Sequence, residues 1–288
     1  MYSLFLHKVF ILKKRKVEIV VISDVHLGTY GCHAKELLAY LSSVKPKILI
    51  LNGDIIDIWQ FRKSYFPSKH LEVIKKIISM STKGTKVYYL TGNHDEFLRK
   101  FTDLHMGNIS LLDKLVLEFD HKKAWIFHGD VFDSSITQAK WLAKLGGWGY
   151  DILILINRFI NWVLARFNKE PYSLSKKIKN NVKSAVKFIT NFENVCVELA
   201  IENKYDYVIC GHIHEPKIEF MENEKGEVFY LNSGDWIENL TALEYHKGVW
   251  ELYHHTDVKN DKKSDSEEVM QLNLNELIKE VTAPDKKV

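Results

Sequence analysis

The sequence predicts an α/β fold in which parallel strands alternate with helices and a helical insertion interrupts the body. Two observations carry this prediction. Between residues 17 and 90, short apolar runs alternate with stretches of helical periodicity, the pattern of parallel strands joined by crossover helices. From about 133 to 200 the pattern changes, because this stretch has helical periodicity, three tryptophans and no evident strand.

The individual elements follow from the same pattern. Apolar runs of strand length predict strands at 17–22, 47–52, 86–90, 114–119, 123–128, 205–210, 217–222, 227–232, 240–245 and 249–254. Between the first three strands, apolar residues recur at helical spacing and predict helices at 33–43 and 69–82. The order strand, helix, strand, helix, strand predicts that the first three strands are parallel neighbours.

The domain organisation follows from composition. We expect one main domain at 1–256, interrupted by the insertion at about 133–200, and a charged tail at 257–288 that is flexible because it is poor in aromatic residues. Within the insertion, 151–167 is the longest apolar stretch. It contains Arg158 and Arg166 and is shorter than the roughly 20 residues that span a membrane. A core helix and a lipid-facing helix both remain open for it.

Charge and cysteine usage exclude some classes of protein. The net charge of +3 is too weak to indicate a nucleic-acid partner. The three cysteines are widely spaced, which argues against a disulfide scaffold and suits a reducing compartment. At the start of the chain a basic run follows the apolar stretch, the reverse of a secretory signal. We therefore expect a cytoplasmic protein.

Residues able to bind metal follow five of the predicted strands at the point where each strand ends. They are Asp24 and His26 after 17–22, Asp54 after 47–52, Asn93, His94 and Asp95 after 86–90, His128 at the end of 123–128, and His212 and His214 after 205–210. Each one alone could be a helix cap or a turn residue. Because ligands bind at the carboxyl ends of strands in open α/β sheets, we expect these loops to converge on one edge.

The chemistry of this set points to divalent transition metals. Carboxylate, amide oxygen and imidazole together favour Mn, Fe or Zn over Ca, which prefers oxygen alone. Seven candidate ligands, with Asp54 shared, are enough for two ions with four protein ligands each. Paired ions of this kind clamp the attacking and leaving oxygens in phosphoryl transfer.

The motifs D-x-H, GD, GNHD, H and GHxH, in this order over roughly 17–236, resemble the calcineurin-like metallophosphoesterase pattern. The resemblance implies a sandwich of two β-sheets flanked by helices. It implies one metal held by Asp24, His26, Asp54 and His214, and a second held by Asp54, Asn93, His128 and His212. A hydroxide bridging the metals would attack phosphorus in line, His94 would protonate or stabilise the leaving oxygen, and Asp95 would orient His94. Two divalent ions are expected, with Mn favoured over Fe, Zn or Mg.

Within this superfamily the chain looks like the UDP-2,3-diacylglucosamine hydrolase branch, through "SDVHLGTYGCHAKELL", "NGDIIDIWQFRK", the insertion and "NSGDWIENLTALEY". That resemblance implies cleavage of the pyrophosphate in a lipid A precursor to UMP and a lipid monophosphate. It also implies an insertion that receives acyl chains and a peripheral position on the cytoplasmic membrane face. The branch carries Arg where this chain has His94, so a soluble phosphodiester or phosphomonoester remains an alternative substrate. A non-catalytic scaffold is a more distant alternative.

Three further residues are candidates for substrate binding. Arg62 and Lys63 follow the second strand's loop and could bind a phosphate, although solvated surface residues would look the same. His33 could enter the site or simply start the helix at 33–43. The sequence leaves the oligomeric state open.

Overall fold

The computed structural model describes residues 14–58, 65–132 and 175–255, with side chains in the last range described from residue 189 onwards. The described residues up to His254 belong to one compact unit. Arg62 and Lys63, the apolar stretch at 151–167 and the tail at 257–288 lie outside the described residues.

Strands provide most of the described architecture. They are β1 (Arg15–Ile22), β2 (Val44–Asn52), β3 (Lys86–Leu90), β4 (Leu104–Met106), β5 (Ile109–Leu112), β6 (Lys114–Phe119), β7 (Lys122–Phe127), β8 (Tyr207–Cys210), β9 (Lys217–Asn223), β10 (Gly226–Asn232), β11 (Thr241–His246) and β12 (Val249–His254). Strands β4 and β5 were not predicted from the sequence; the others lie within a few residues of their predicted positions.

The strands form two sheets. A seven-stranded sheet has the order β12-β11-β1-β2-β3-β5-β4, and a five-stranded sheet has the order β6-β7-β8-β10-β9. In the larger sheet β1, β2 and β3 are parallel neighbours, which confirms the pairing predicted from the alternation of strands and helices. In the smaller sheet β8 is parallel to both β7 and β10.

Three helices of the described residues cover these sheets: α1 (Ala34–Ser43), α2 (Ser68–Thr82) and α3 (Ser175–Glu202). Helix α2 buries His70, Val73, Ile77 and Met80, whose spacing of three or four residues places them on one face. The chain leaves α2 through Lys83 and Gly84; Gly84 has φ +97°, a conformation that glycine adopts without the cost borne by other residues. None of the described helices has both the length and the apolar character needed to cross a membrane.

Apolar residues fill three separate layers. The first lies between the larger sheet and helices α1 and α2 and includes Leu37, Leu41 and Val73. The second lies between the two sheets and includes Ile50, Ile126 and Leu243, all fully buried. The third lies between the smaller sheet and α3. The predicted α/β fold with two packed sheets flanked by helices is therefore confirmed.

Candidate metal centre

The loops that follow β1, β2, β3, β7 and β8 meet at one edge of the sandwich. Each loop begins within a few residues of a strand's carboxyl end, and the backbone of one loop bonds to the next. The amide of Asp24 donates to the carbonyl oxygen of Gly53 at 3.1 Å, and the amide of Gly211 donates to the carbonyl oxygen of His128 at 2.9 Å. The two sheets thus contribute neighbouring loops to a single site, as expected for ligands at the carboxyl ends of strands.

Side chains from these loops form three overlapping clusters suited to cations. In each cluster, one ligand atom per residue lies within 4.8 Å of the others. The clusters are Asp24 with His26 and His214, His26 with Asp54 and His94, and Asp54 with His128 and His212. Asp54 belongs to two of them, so its carboxylate lies between the two groups of histidines.

The backbone at these residues is strained. Five of the candidate ligands have φ between 52° and 68°, in the left-handed region: Asp24, His26, Asp54, His212 and His214. Non-glycine residues seldom occur there, although Asp and His tolerate it better than most, and each such residue costs on the order of 1–3 kcal/mol. The rest of the fold must stabilise these conformations, which is typical of a site where geometry matters more than local stability.

Two glycines leave room for the ligands. A side chain at Gly53 would collide with the ring of His128, and one at Gly92 would collide with the Asp54 carboxylate and the His128 ring. Gly53 also has φ +80°, which a larger residue would adopt only with strain. Both positions therefore require glycine for the backbone to approach the site.

In the rings of His26 and His128, a hydrogen bond on the side away from the candidate centre determines which nitrogen faces the centre. Nδ1 of His128 donates to the carbonyl oxygen of Asn52 at 2.9 Å, and Nδ1 of His26 donates to the carboxylate of Asp57 at 3.1 Å. In both rings Nε2 is left as the inward-facing atom. Partners of this kind hold metal-binding imidazoles in one tautomer.

Several inward-facing atoms are buried without a hydrogen-bond partner among the described residues. They include Oδ1 of Asn93 and Nε2 of His26, while Nε2 of His128 lies 3.3 Å from the Asp54 carboxylate. An unpaired buried polar atom is costly, and a bound cation would accept a lone pair from each of these three atoms. The donor set of carboxylate, amide and imidazole fits divalent metal ions of the transition series.

The electrostatic field at the site also favours a cation. Burial alone would raise the pKa of the Asp24 carboxyl, but His214 and His128 outweigh it and lower that pKa to about 2. Burial lowers the pKa of His214, yet Asp24 raises it by more, to about 9. The pKa of His128 is likewise well above its ordinary value, because Asp54 and Asp24 outweigh burial. A field that holds protons on buried imidazoles also attracts a divalent ion.

The orienting partner of His94 is Asp57, a residue that the sequence reasoning missed. Nδ1 of His94 lies 2.8 Å from the Asp57 carboxylate, which also binds His26. Burial lowers the pKa of His94, but Asp57 and Asp54 raise it by more, so the ring's pKa lies above its ordinary value. The signal was available: Asp57 is the second aspartate of "NGDIID", three residues after Asp54.

Asp95 has a different position from the one expected. Its carboxylate accepts hydrogen bonds from the Tyr89 hydroxyl at 2.6 Å, the Gly92 amide at 2.6 Å and the Ile55 amide at 3.1 Å. These contacts tie the loop after β3 to the loop after β2. The geometry therefore gives Asp95 a role in holding the two loops together, and the expected role of orienting His94 passes to Asp57.

The remaining candidates are less closely tied to the centre. His33 is half exposed at the start of α1, where its ring lies 3.6 Å from Glu36 in the first turn. This position is the one expected if His33 simply starts the helix. Asp235, which was not among the candidates, is fully buried, and its carboxylate accepts hydrogen bonds from the amides of Ile237 and Asn239 in a turn. Its carboxylate also lies 3.9 Å from Nδ1 of His214.

Comparison with known proteins agrees with this geometry. The calcineurin-like phosphoesterase family matches residues 17–216, and the chain belongs to that family. It is a metal-dependent phosphohydrolase. A UDP-2,3-diacylglucosamine hydrolase of Aliivibrio fischeri is 25% identical over 249 residues, 82% of this chain and 97% of that protein.

Two further relatives extend the comparison. A UDP-2,3-diacylglucosamine hydrolase of Blochmanniella pennsylvanica is 25% identical over 228 residues, 75% of this chain and 86% of that protein. Among solved structures, the E. coli phosphoesterase Yfce is 14% identical with a TM-score of 0.43, over 83% of this chain and 93% of that one.

Proposed function

We propose that this protein hydrolyses the pyrophosphate bond of a UDP-diacylglucosamine-type lipid A precursor and releases UMP and a lipid monophosphate. The observation that carries the reaction class is the Asp54 carboxylate, which belongs to two clusters of cation-binding side chains. The names of the curated relatives support the substrate class. Two ions held by one shared aspartate would be close enough to clamp the attacking and leaving oxygens of an in-line phosphoryl displacement.

The proposed centre holds two divalent ions. Asp24, His26, Asp54 and His214 would hold the first, and Asp54, Asn93, His128 and His212 the second. Manganese is the proposed ion, because a mixture of oxygen and imidazole donors suits it; iron, zinc and magnesium are the alternatives. When bound, the ions would polarise the phosphoryl oxygens and lower the pKa of a water molecule at the site.

The protein's own residues would complete the reaction. Because Nδ1 of His94 faces Asp57, its Nε2 would deliver a proton to the oxygen that leaves phosphorus. The negative charge of Asp57 keeps the ring protonated for this step. Asp95 would keep the loop that carries Asn93 and His94 attached to the loop that carries Asp54.

Substrate binding is proposed for parts of the chain on both sides of the centre. Within the insertion at about 133–200, the part before residue 189 would act as a cap that receives the acyl chains, with the apolar stretch at 151–167 lining it. The end of α3 from Phe192 onwards packs against the smaller sheet and belongs to the body. Arg62, Lys63 and His33 would bind the phosphate or nucleotide part. The enzyme would act in the cytoplasm, as a peripheral protein on the inner face of the membrane, with the tail at 257–288 outside the catalytic domain.

A second candidate is hydrolysis of a soluble phosphodiester or phosphomonoester. His94 favours it, because the UDP-2,3-diacylglucosamine hydrolase branch carries arginine at this position. Arginine offers a permanent charge and a bidentate fork, whereas histidine can transfer a proton near neutral pH. The two candidates share the metal chemistry and differ in the group that leaves.

The test compares two substrates with the manganese-loaded full chain. UMP release from UDP-2,3-diacylglucosamine in detergent micelles is measured by mass spectrometry, and hydrolysis of bis-p-nitrophenyl phosphate by absorbance. We expect a much higher kcat/KM for the lipid, with activity that depends on detergent. No UMP release, together with efficient cleavage of the aryl diester, would support the second candidate.

A pair of variants tests the metal centre itself. Asp54→Ala should lose hydrolysis of both substrates and most of the bound manganese, as measured by elemental analysis. Asp103→Ala is the matched control, because Asp103 also has a left-handed backbone, with φ 68°, but lies on an exposed loop. Full turnover by Asp54→Ala would exclude the proposed centre.

A further inference from the structure

A second concentration of charge lies at the opposite edge of the larger sheet from the metal centre. Here the amino ends of β1, β2 and β3, together with the turn after α2, surround a cavity of about 630 Å³. Its lining includes Lys16, Lys45, Lys47, Lys83, Lys86 and His246, and we refer to it as the lysine cavity. Parallel strands place their amino ends together, so this clustering follows directly from the topology.

The fold brings these positive charges close to one another. Lys16 and Lys45 are register partners on the neighbouring strands β1 and β2. Lys86 enters from β3, where it is opposite Ile48 of β2. Like charges directly opposite each other destabilise a sheet, and an anion bound between them would relieve that repulsion.

Negative groups at the lysine cavity do not balance this charge. Glu18 is the acidic residue in its lining, and it already lies 3.2 Å from Lys47 and accepts the amide of Lys247. The carboxyl end of α2 beside Lys83 contributes only about half a negative charge. Among the described residues, Lys16, Lys45, Lys83 and Lys86 have no ion pair, which leaves a clear excess of positive charge.

The pKa of Lys76, a lysine on the neighbouring helix α2, is also affected by positive charge. Lys76 on α2 is half buried, and burial followed by the charges of Lys14 and Lys83 lowers its pKa to about 8. Lysines that lower one another's pKa would be stabilised by an anion between them. Lys83 thus acts both on the lysine cavity and on Lys76 of α2.

We propose that the lysine cavity binds the phosphate groups of a ligand that carries at least two of them. Several exposed ammonium groups around one open depression match separate phosphate groups on one molecule, and lysine binds phosphate as a point charge. An extended nucleic acid is disfavoured, because the charges surround a cavity at one edge and the whole chain has a net charge of only +3. The phosphates could belong to a soluble metabolite or to anionic lipid headgroups.

The first experiment uses adenosine 3′,5′-bisphosphate as a soluble probe with the metal-loaded full chain. Lys45→Gln/Lys86→Gln removes two charges from the lysine cavity, and Lys75→Gln/Lys114→Gln removes two exposed lysines that do not line it. We expect at least about tenfold weaker binding for the first double variant only, because it removes two of the charged groups that would bind the phosphates. Any binding of the bisphosphate at the metal centre should be the same in both double variants and therefore cancels in the comparison.

A second arm separates the two sources of phosphate. Co-sedimentation with vesicles that contain cardiolipin, a lipid with two phosphates in one molecule, that fails only for Lys45→Gln/Lys86→Gln identifies lipid headgroups as the ligand. A loss confined to the bisphosphate identifies a soluble one. If both double variants bind both probes equally well, the proposal is wrong.

Lysine acylation at pH 8, followed by mass spectrometry, gives an independent readout of the same site. The bisphosphate should slow labelling of Lys45 and Lys86 in the lysine cavity but not of Lys75. Unchanged labelling at Lys45 and Lys86 would contradict the proposal. Both double variants should hydrolyse a small aryl phosphate at the normal rate, which verifies that they are folded.

Discussion

The seven-stranded sheet and the five-stranded sheet contribute different donor atoms to the metal centre. Loops of the larger sheet carry the oxygen donors Asp24, Asp54 and Asn93, together with His26. Loops of the smaller sheet carry the imidazoles of His128, His212 and His214. Two of the three cation-binding clusters contain residues from both sheets. The centre therefore depends on how the sheets pack, and not on either sheet alone.

Polar contacts fix the two sheets at this edge. The Ser23 hydroxyl after β1 bonds the Ser233 hydroxyl after β10 at 2.7 Å. The Asn52 amide at the end of β2 donates to the carbonyl oxygen of Phe127 at 3.1 Å. Below these contacts lies the apolar layer between the sheets. Buried, satisfied polar contacts of this kind specify one alignment, whereas apolar packing supplies most of the stability.

The largest loss of activity should come from replacing Asp54. Its carboxylate belongs both to the cluster with His26 and His94 and to the cluster with His128 and His212. Asp54→Ala should lower kcat by about 1,000-fold or more, because metal ions contribute several kcal/mol to transition-state stabilisation and each 1.36 kcal/mol is tenfold. His212→Ala, which removes an imidazole from one cluster only, should cost less. Steady-state assays at saturating manganese measure both. Equal losses would indicate that the two sheets contribute equally.

The next comparison separates the layer between the sheets from the layer under α1. Leu243→Ala and Leu41→Ala each truncate a fully buried leucine, one in each layer. Each should lower the free energy of unfolding by about 2–5 kcal/mol, as measured in urea. Only Leu243→Ala should also weaken manganese binding, because it loosens the packing of one sheet against the other. Equal manganese affinities in calorimetry would contradict this dependence on packing.

A smaller loss of activity is expected from replacing Asp57, whose carboxylate contacts His26 and His94 in loops of the larger sheet. Asp57→Asn should lower activity about 10–100-fold, the usual range for partners that orient metal ligands. The loss should be greater for substrates with a poor leaving group, because Asp57 also keeps the His94 ring oriented and charged. Aryl phosphates of graded leaving-group pKa measure this. A uniform loss across the series would leave Asp57 with a role at His26 alone.

The smallest effect, a loss of stability, should come from breaking the hydrogen bond between the Ser23 and Ser233 hydroxyls that joins the two sheets. Ser23→Ala should reduce the free energy of unfolding by about 1 kcal/mol, the net contribution of an ordinary hydrogen bond. Ser43→Ala removes a similar hydroxyl bond on the exposed end of α1 and should cost less. Thermal unfolding of both variants tests this. A larger loss for Ser43→Ala would mean that the Ser23 contact does not fix the sheets.

The sequence predicted the fold well where local pattern and topology agree. Alternating strands and helices implied the parallel order of β1, β2 and β3, and the two packed sheets followed from the family resemblance. Strands β4 and β5 were missed, because segments of three and four residues are too short to show periodicity. Strand β2 begins at Val44, three residues earlier than the predicted start at 47, and it contains Pro46, a residue seldom found inside a strand.

The centre was predictable for residues that directly follow a strand. Asp57 was missed because it follows two isoleucines and no strand end marks it. Its contact with His94 joins residues 37 positions apart and exists only after the loops converge. For the same reason the prediction for Asp95 did not anticipate its hydrogen bonds with Tyr89, Gly92 and Ile55, since adjacency in the chain does not predict which carboxylate faces a ring. Arg62 and Lys63 remain predictions.

The left-handed backbone of the candidate ligands has a consequence for how such a chain would change over generations. Asp24, His26, Asp54, His212 and His214 occupy conformations that glycine or asparagine adopts at lower cost. Selection for stability alone would therefore replace them, and only selection for chemistry retains them. In a descendant released from catalysis, glycine or asparagine at these five positions would be an early sign of the lost activity, while the core between the sheets stayed unchanged.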